Sequence, residues 1–263
     1  MGVLNVTPDS FSDGGLFVTP DQALAQAGKM KRDGADIIDI GGESTRPGAE
    51  PVSVQEELDR ILPAIERITR NVDIPVSIDS WKPQVMQAAV EAGASLINDV
   101  NALQASGAME VAAQSGVAVC LMHKQGNPQT MQDNPSYDDV TAEVKAFLYG
   151  RIQTCISAGI DLGRIIIDPG FGFGKKLKHN YILLKNMAKL TDLGVPVLAG
   201  LSRKSMIGKE LGLPVGQRLS ASLSLALIAV ANGAQFLRVH DVKETVEAVR
   251  MYEAVMNVEQ GKP

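Results

Sequence analysis

The chain has 263 residues, of which 45% are hydrophobic and 21% are charged, and its net charge is −5 at pH 7. This length is ample for one α/β barrel with a buried core. The negative charge gives no general attraction for nucleic acid or an anionic membrane, and no apolar run reaches the roughly 18 residues that span a bilayer. We therefore expect neither a nucleic-acid nor a membrane partner, and an anionic ligand would need a local cationic pocket.

The first residues carry no basic and apolar leader, which predicts a cytoplasmic protein. The two cysteines, Cys120 and Cys155, lie among apolar positions, so we expect both to be buried and free. The chain has no long linker, charge block or low-complexity segment. These features predict a single domain over residues 1–263.

One pattern occurs six times: a helical stretch, a glycine, and a short apolar run that ends at a polar residue. Glycine after a helix is the usual left-handed cap, and each apolar run is too short for another helix. The six segments are residues 34–39, 93–98, 116–123, 159–168, 194–202 and 233–240. Residues 2–7 and 76–79 bring the count of predicted strands to eight. Eight buried parallel strands separated by helices predict an α/β fold, a single (β/α)8 TIM barrel.

The helices between these strands carry ordinary boundary signals. Thr19 and Pro20 are typical of the N-cap and first position of a helix, and Gly233 is typical of a helix end. Two apolar stripes have helical spacing; they comprise Val54, Leu58, Ile61, Ile65 and Ile68, and Leu219, Leu223, Leu227 and Val230. A doubly wound open sheet is the alternative, but the first strand lacks the glycine fingerprint of dinucleotide binding.

Two predicted connections are unusually long, after strand 1 (residues 8–15) and after strand 2 (residues 41–48). Both are rich in glycine and hydroxyl groups. Long loops over the mouth of a barrel are often lids, so we expect these loops to cover a site, although ordinary surface turns are the alternative.

Polar side chains follow three of the predicted strands: Asp79, Asn98 and Asp168. Each alone could cap the next helix or form a turn. In a closed barrel, however, all three would surround one cavity. Two carboxylates and an amide suit a flat heterocycle with adjacent N–H groups, because a carboxylate accepts two parallel hydrogen bonds from such an edge.

The segment 200–205 predicts a helix start with Ser202 as its N-cap. Arg203 and Lys204 would then lie in the first helical turn, where cations are disfavoured by the helix dipole. A helix start with exposed amides and a lysine is typical of a site for an anion or a polar ligand.

Arg238 and His240 lie two positions apart at the end of the last strand, so their side chains share one side. An inward arginine needs an anionic partner, because an unpaired buried charge is very costly. Asn5 on the neighbouring first strand would add a ligand for phosphate or a metal ion. These residues predict an anion site.

Other motifs are not assigned to catalysis. Residues 170–175 lack the P-loop pattern, since Pro169 occupies the position of its first glycine. The three histidines, His123, His179 and His240, show no zinc-ligand spacing, and His123 is better explained as a structural turn. No Ser–His–Asp or Cys–His arrangement can be assigned.

Six motifs in order resemble the bacterial dihydropteroate synthase family; they are residues 5–15, 43–48, 77–80, 168–175, 202–205 and 238–241. The resemblance extends from residue 1 to about 258. It implies a transferase of folate biosynthesis that joins dihydropterin diphosphate to 4-aminobenzoate. It further implies a Mg²⁺ cofactor, a homodimer and a target for sulfonamides.

The resemblance also implies roles for individual residues. The pterin ring would be held by Asp79, Asn98, Asp168 and Lys204, with Arg238 against the ring and the diphosphate. Asn5 and His240 would complete the diphosphate and Mg²⁺ site. The aminobenzoate subsite would be framed by Thr45, Arg46, Pro47, Phe173, Lys204 and Ser205. Asp13 would close over the reacting centre.

The residue types fit a largely dissociative substitution. An arylamine is neutral and nucleophilic near pH 7, so a strong base is unnecessary, and the departing diphosphate is the group to stabilise. We predict that Asp13, Asp79 and Asp168 stabilise a developing pterin cation. The alternatives are a corrinoid-dependent pterin methyltransferase and a pterin-binding protein that has lost catalysis; neither requires the 43–48 loop together with the Arg238–His240 pair.

Overall fold

A computed structural model describes residues 1–7, 19–44, 51–126 and 134–258. Its strands are β1 (Gly2–Asn5), β2 (Ile38–Gly41), β3 (Val76–Asp79), β4 (Leu96–Asp99), β5 (Ala118–Met122), β6 (Ile165–Asp168), β7 (Leu198–Ala199) and β8 (Phe236–Leu237). Its helices are α1 (Pro20–Arg32), α2 (Val54–Asn71), α3 (Pro83–Glu91), α4 (Ala108–Ser115), α5 (Val140–Ser157), α6 (Leu177–Lys185), α7 (Ala188–Thr191), α8 (Ser205–Leu211), α9 (Leu219–Ala231) and α10 (Val242–Met256). All eight predicted strands are present.

The strands form a closed ring. They pair in parallel and in sequence order from β1 to β6, and β7 pairs in parallel with β8. Two further parallel bridges join these sheets, between Ile167 and Val197 and between Gly2 and Val239. At the second seam Val3 N donates to Val239 O at 2.9 Å. The predicted (β/α)8 barrel is therefore confirmed, and the open doubly wound sheet is wrong.

Alternation along the strands divides their side chains between the helices and the barrel interior. The large buried cluster includes Ile78, Ile97 and Ile167, which face the helices. A second, smaller buried cluster lies inside the barrel and contains Leu96, Cys120, Ile166 and Leu198. Two positions after Leu96 and Ile166, on the same inner side, come Asn98 and Asp168. The barrel interior is thus apolar below and polar at its mouth.

The helix signals were mostly reliable. Thr19 forms a capping box with Gln22 at the start of α1, and Gly233 follows α9 with φ +91°. The predicted stripe on α2 is buried, with Ile61, Ile65 and Ile68 fully enclosed. On α9 the most buried side chains are instead Ser222, Ala226 and Ala229, and the predicted leucine stripe is only half-buried. Small residues on that face allow close packing against the barrel.

Cys120 and Cys155 are buried and free, as predicted. Among the described residues, no helix is both long and apolar enough to cross a membrane. The assignment of residues 1–263 to one domain stays a prediction.

Two glycines test how backbone conformation contributes to stability. Gly150 lies inside α5 and Gly159 follows that helix with φ +90°, and a Cβ at either position would contact nothing within 4 Å. We expect Gly150→Ala to stabilise the protein by about 1 kcal/mol, because alanine favours helix. Gly159→Ala should destabilise it by about 1 kcal/mol, because a side chain disfavours positive φ. Urea unfolding measures the free energy of unfolding of both variants. Changes of the same sign in the two variants would contradict this account.

Candidate active site

The polar mouth of the barrel is organised around Arg238, which follows β8. Its Nε donates to Asp39 Oδ2 at 2.6 Å, and its Nη2 donates to Asp79 Oδ2 at 2.6 Å. Asn98 Nδ2 also donates to Asp39 Oδ2, at 3.2 Å. Asp39, a fully buried carboxylate that the sequence analysis did not single out, thus joins Asn98 to Arg238, and Arg238 in turn holds Asp79. Asp39 ends an apolar run as Asp168 does, and that shared pattern could have revealed it.

Glycines in the strand ends bring the other residues to the same cavity. A Cβ on Gly200 would lie 3.9 Å from Arg238 Cβ and 4.0 Å from Asp168 Oδ2, so Gly200 separates these two residues. A Cβ on Gly41 would lie 3.5 Å from Asn5 Oδ1 and 3.6 Å from Asp79 Cβ. Asn5, Asp79, Asp168 and Arg238 therefore share one mouth, as predicted from the order of the strands.

Burial raises the pKa values of two carboxyl groups at the mouth, those of Asp79 and Asp168. Burial raises the pKa of Asp79 to about 7; Arg238 acts in the opposite direction, and the charge of Asp39 adds to the increase. Burial also raises the pKa of Asp168, although its Oδ1 accepts a 2.7 Å hydrogen bond from Gly170 N. Within the described part of the chain, Asp79 Oδ1 is buried and has no hydrogen-bond partner. An acceptor at this position is available to a ligand N–H group.

Lys204 lies at the same mouth, near Asp168. Its Nζ donates to Phe171 O at 2.9 Å and lies 4.4 Å from the centroid of the Phe173 ring. Burial lowers the pKa of Lys204 to about 8, whereas the nearby Asp168 raises it. Ser205 is exposed and begins α8. The structure therefore brings Lys204 and Phe173 together as predicted.

The predicted helix start at Ser202 is wrong. Helix α8 begins at Ser205, with Lys204 as its N-cap, and Arg203 has a left-handed φ of 56°. Arg203 donates its guanidinium hydrogens to Asp241 rather than facing a ligand. Ser202 Oγ instead lies 3.1 Å from His240 Nδ1 and accepts from the His240 backbone N–H at 3.2 Å. A serine in the sequence is equally compatible with a helix cap and with this tertiary contact, so the sequence alone could not distinguish the two.

His240 is partly buried beside the cations of the site. Burial, together with Arg238 and Arg203, lowers the pKa of its imidazole to about 4. His240 is therefore neutral at pH 7.

His123, which was predicted to be structural, contacts the ammonium of Lys175 through Nδ1 at 2.9 Å.

A largely buried charge cluster joins the chain before residue 45 to the chain after residue 50. Glu43 Oε1 accepts from Val52 N at 3.0 Å, and its Oε2 accepts from Trp81 Nε1 at 3.0 Å. Lys82 Nζ contacts Glu43 at 3.2 Å and Glu57 at 2.6 Å. The predicted residues Asp13, Thr45, Arg46 and Pro47 lie outside the described residues.

Comparison with known proteins identifies the class. A family model described as pterin binding enzyme matches residues 1–240. The dihydropteroate synthase of Escherichia coli (strain K12) is 51% identical over 262 residues, which cover 100% of this chain and 93% of that protein.

Two solved structures are also similar. The Yersinia pestis dihydropteroate synthase with a sulfonamide drug complex has a TM-score of 0.94 and 51% identity to this chain. The alignment covers 98% of this chain and 94% of the Yersinia pestis chain. The Xanthomonas albilineans dihydropteroate synthase with 4-aminobenzoic acid has a TM-score of 0.92 and 51% identity, with coverage of 98% and 93%.

A charged mouth on a closed barrel, together with the family match, defines this protein as a pterin-binding enzyme. At 51% identity over its whole length, the chain belongs to the dihydropteroate synthase family. It is therefore a transferase.

The contribution of Asp39 to the site can be tested through Asp79. We expect Asp39→Asn to lower the pKa of Asp79 from about 7 towards its ordinary value, because the charge of Asp39 raises it. A change of about one unit is the scale expected for one nearby charge. Carbon-detected NMR titration of the aspartate carboxyl groups measures this shift. Asp73→Asn, on the surface, is the matched control, and an unchanged Asp79 pKa in Asp39→Asn would contradict the assignment.

Proposed function

We propose that this barrel mouth condenses 6-hydroxymethyl-7,8-dihydropterin diphosphate with 4-aminobenzoate, giving 7,8-dihydropteroate and diphosphate in folate biosynthesis. Relatives at 51% identity carry that activity in their names, and one was solved with 4-aminobenzoic acid. The observation that carries the proposal is the Asp39–Arg238–Asp79 group at the mouth. It combines a cation for an anionic leaving group with a free carboxylate oxygen for a ring N–H.

The pterin is bound by complementary hydrogen bonds. Asp79 Oδ1 is buried without a partner in the described structure, so a ring N–H group that donates to it would satisfy a buried acceptor. Asp168 and Asn98 supply further acceptors and an amide on the same side of the mouth. Lys204 is the cation above Asp168, and Arg238 contacts the ring face and the diphosphate. Asp13 and Asp168, together with Asp79, stabilise positive charge that develops on the pterin.

The diphosphate leaves towards Arg238, His240 and Asn5. Since the Ser202 hydroxyl accepts from the His240 backbone, its own hydrogen is available for His240 Nδ1. The neutral imidazole then carries its proton on Nε2, which can donate to a phosphate oxygen. Arg238 contributes a fixed positive charge at the position where negative charge accumulates.

Mg²⁺ fits the chemistry of this site through Asn5. The side-chain oxygen of Asn5 lies at the mouth, and Mg²⁺ prefers oxygen ligands from few side chains together with substrate phosphates and water. Among the described residues, no group of three or more His, Cys, Asp or Glu side chains could hold a metal by itself. When bound, the ion supplies charge neutralisation on the diphosphate. Asn5 would hold the ion through its side-chain oxygen, and Arg238 and His240 contact phosphate oxygens.

Phe173 forms one wall of the arylamine subsite. Phe173 is half-buried with its ring beneath the Lys204 ammonium, so this apolar wall also carries a positive charge for the 4-aminobenzoate carboxylate. Thr45, Arg46, Pro47 and Ser205 complete the subsite. Sulfonamides, which are bound by the relative from Yersinia pestis, would occupy the same subsite.

The reaction is tested by diphosphate release with and without 4-aminobenzoate. We expect the purified protein to release diphosphate from the pterin substrate in the presence of 4-aminobenzoate. Lys204→Ala should lower kcat/KM at least 100-fold, about 2.7 kcal/mol, because it removes a cation of the site. Lys209→Ala on the exposed side of α8 is the control. Near-wild-type release by Lys204→Ala would overturn the residue assignment.

The protein forms a homodimer through α9 and α10. These helices pack side by side, and they expose the large apolar side chains of Ile228, Met251 and Val255 to solvent. Exposed apolar groups of this kind on neighbouring helices are typical of a contact between subunits.

A charge in this apolar surface should separate the subunits. We expect Ile228→Glu, at a side chain that is 45% exposed, to convert the dimer to a monomer with an unchanged fold. Sedimentation velocity measures the mass, and Ile156→Glu on α5, at 42% exposure, is the matched control. A wild-type monomer, or an Ile228→Glu dimer, would contradict the proposed interface.

A further inference from the structure

Lys175 is a buried lysine that the proposed reaction does not use. Its side chain belongs to a residue that is 3% exposed, and its Nζ lies 2.9 Å from His123 Nδ1. It also donates to Gly170 O at 2.9 Å and Phe173 O at 3.1 Å. Among the described residues, the partners of this ammonium are the His123 ring and backbone carbonyls, with no carboxylate among them. A buried cation held by neutral acceptors is costly, so its place in the fold requires a reason.

The acceptors of Lys175 belong to a tight turn, residues 170–174, which we call the glycine turn. Its three glycines, Gly170, Gly172 and Gly174, all have positive φ. A Cβ on Gly170 would lie 1.8 Å from His123 O, so the turn packs directly on the segment after β5. Substitution of Gly170 is thus excluded by both conformation and space.

The opposite side of the glycine turn contacts the active site. Lys204 Nζ donates to Phe171 O at 2.9 Å and lies over the Phe173 ring. Lys175 therefore holds the turn from the barrel side, and Lys204 contacts it from the mouth. Phe171 is buried, whereas the Phe173 ring is half-buried at the mouth.

Other side chains also hold this turn, but at its glycines. Asn180 Oδ1 accepts from Gly172 N at 2.7 Å, and Tyr137 Oη donates to Gly174 O at 2.8 Å. Within the described structure, Lys175 is the side chain that bonds to the carbonyl of Phe173 itself. Together with the backbone hydrogen bond from Phe173 N to Gly170 O at 3.1 Å, this bond orients the peptide groups on both sides of Phe173.

The charge state of the pair is consistent with this arrangement. Burial, with Lys175 beside it, lowers the pKa of His123 to about 3, so the imidazole is neutral and Nδ1 can accept. Burial lowers the pKa of Lys175 to about 7; Asp168 raises it and Lys204 lowers it further. The protonated lysine donates to the ring nitrogen and to both carbonyls.

We infer that Lys175, held by His123, is a positioning residue for the arylamine subsite: it fixes the glycine turn so that Phe173 and Lys204 present an apolar, cationic wall to 4-aminobenzoate. This inference rests on the proposed function. Lys175 contacts no reacting atom, so its loss should change binding of the arylamine more than the chemistry of diphosphate departure.

The test compares steady-state constants for the two substrates. In Lys175→Met, we expect the KM for the arylamine substrate, 4-aminobenzoate, to rise about tenfold, while kcat and the KM for the pterin diphosphate change less than about twofold. Lys178→Met, at an exposed position on α6, is the same Lys-to-Met substitution outside the turn and should match wild type. Circular dichroism and thermal unfolding establish that each variant is folded.

A second pair of variants addresses the same contact if Lys175→Met does not fold. His123→Asn keeps an acceptor near the position of Nδ1, whereas His123→Leu removes it. We expect His123→Leu to raise the KM for the arylamine and His123→Asn to restore it towards wild type.

The outcomes separate the inference from the proposed function. A wild-type protein that shows no 4-aminobenzoate-dependent diphosphate release overturns the proposed function. If the wild type is active, an unchanged KM for the arylamine in folded Lys175→Met overturns the inference alone. If Lys175→Met is unfolded, an unchanged KM in His123→Leu does the same. Equal increases in the KM for both substrates also overturn it, because they indicate general damage to the site.

Discussion

The guanidinium of Arg238 is the interaction on which the mouth of the barrel depends. From a position after β8 it bonds to Asp39 on β2 and Asp79 on β3, and Asp39 in turn accepts from Asn98 on β4. These contacts cross up to 199 positions of sequence. Removal of one partner from a buried ion pair typically costs about 3–5 kcal/mol, because the other charge is left uncompensated. The same group therefore supports the fold and prepares the site.

Burial gives the charged groups at the mouth pKa values that differ from those in water. It raises the pKa of Asp79 to about 7 and lowers those of Lys204 to about 8 and His240 to about 4. Because the pKa of Asp79 is close to 7, its carboxyl group is present in both protonation states at neutral pH and can accept or donate a hydrogen bond. The neutral imidazole of His240 can donate a hydrogen bond without repelling Arg238. The apolar layer below, which includes Leu96 and Ile166, excludes water from beneath these groups and strengthens their interactions.

Much of the architecture could be predicted from local patterns. Each glycine after a helix and each short apolar run is encoded within about ten residues, so the eight strands and the cap at Thr19 followed from the sequence. The start of α8 did not, because Ser202 has the composition of a cap but its hydroxyl bonds to His240, 38 positions away. The leucine stripe of α9 is only half-buried. Its helical spacing is real, but the small residues Ser222, Ala226 and Ala229 pack more closely.

Residue type and spacing were enough to establish the order of strands and helices, the polar residues at the strand ends, and the family, because each of these is written in short segments of the chain. Three-dimensional contacts were needed to find that Asp39 joins Asn98 to Arg238 and that Lys175 bonds to His123. Such pairs depend on which side chains the closed ring brings within about 3 Å of each other, and hydrogen bonding falls off steeply beyond that distance. The sequence pattern specifies the face of a strand on which a residue lies. Closure of the barrel determines which side chain becomes its hydrogen-bond partner.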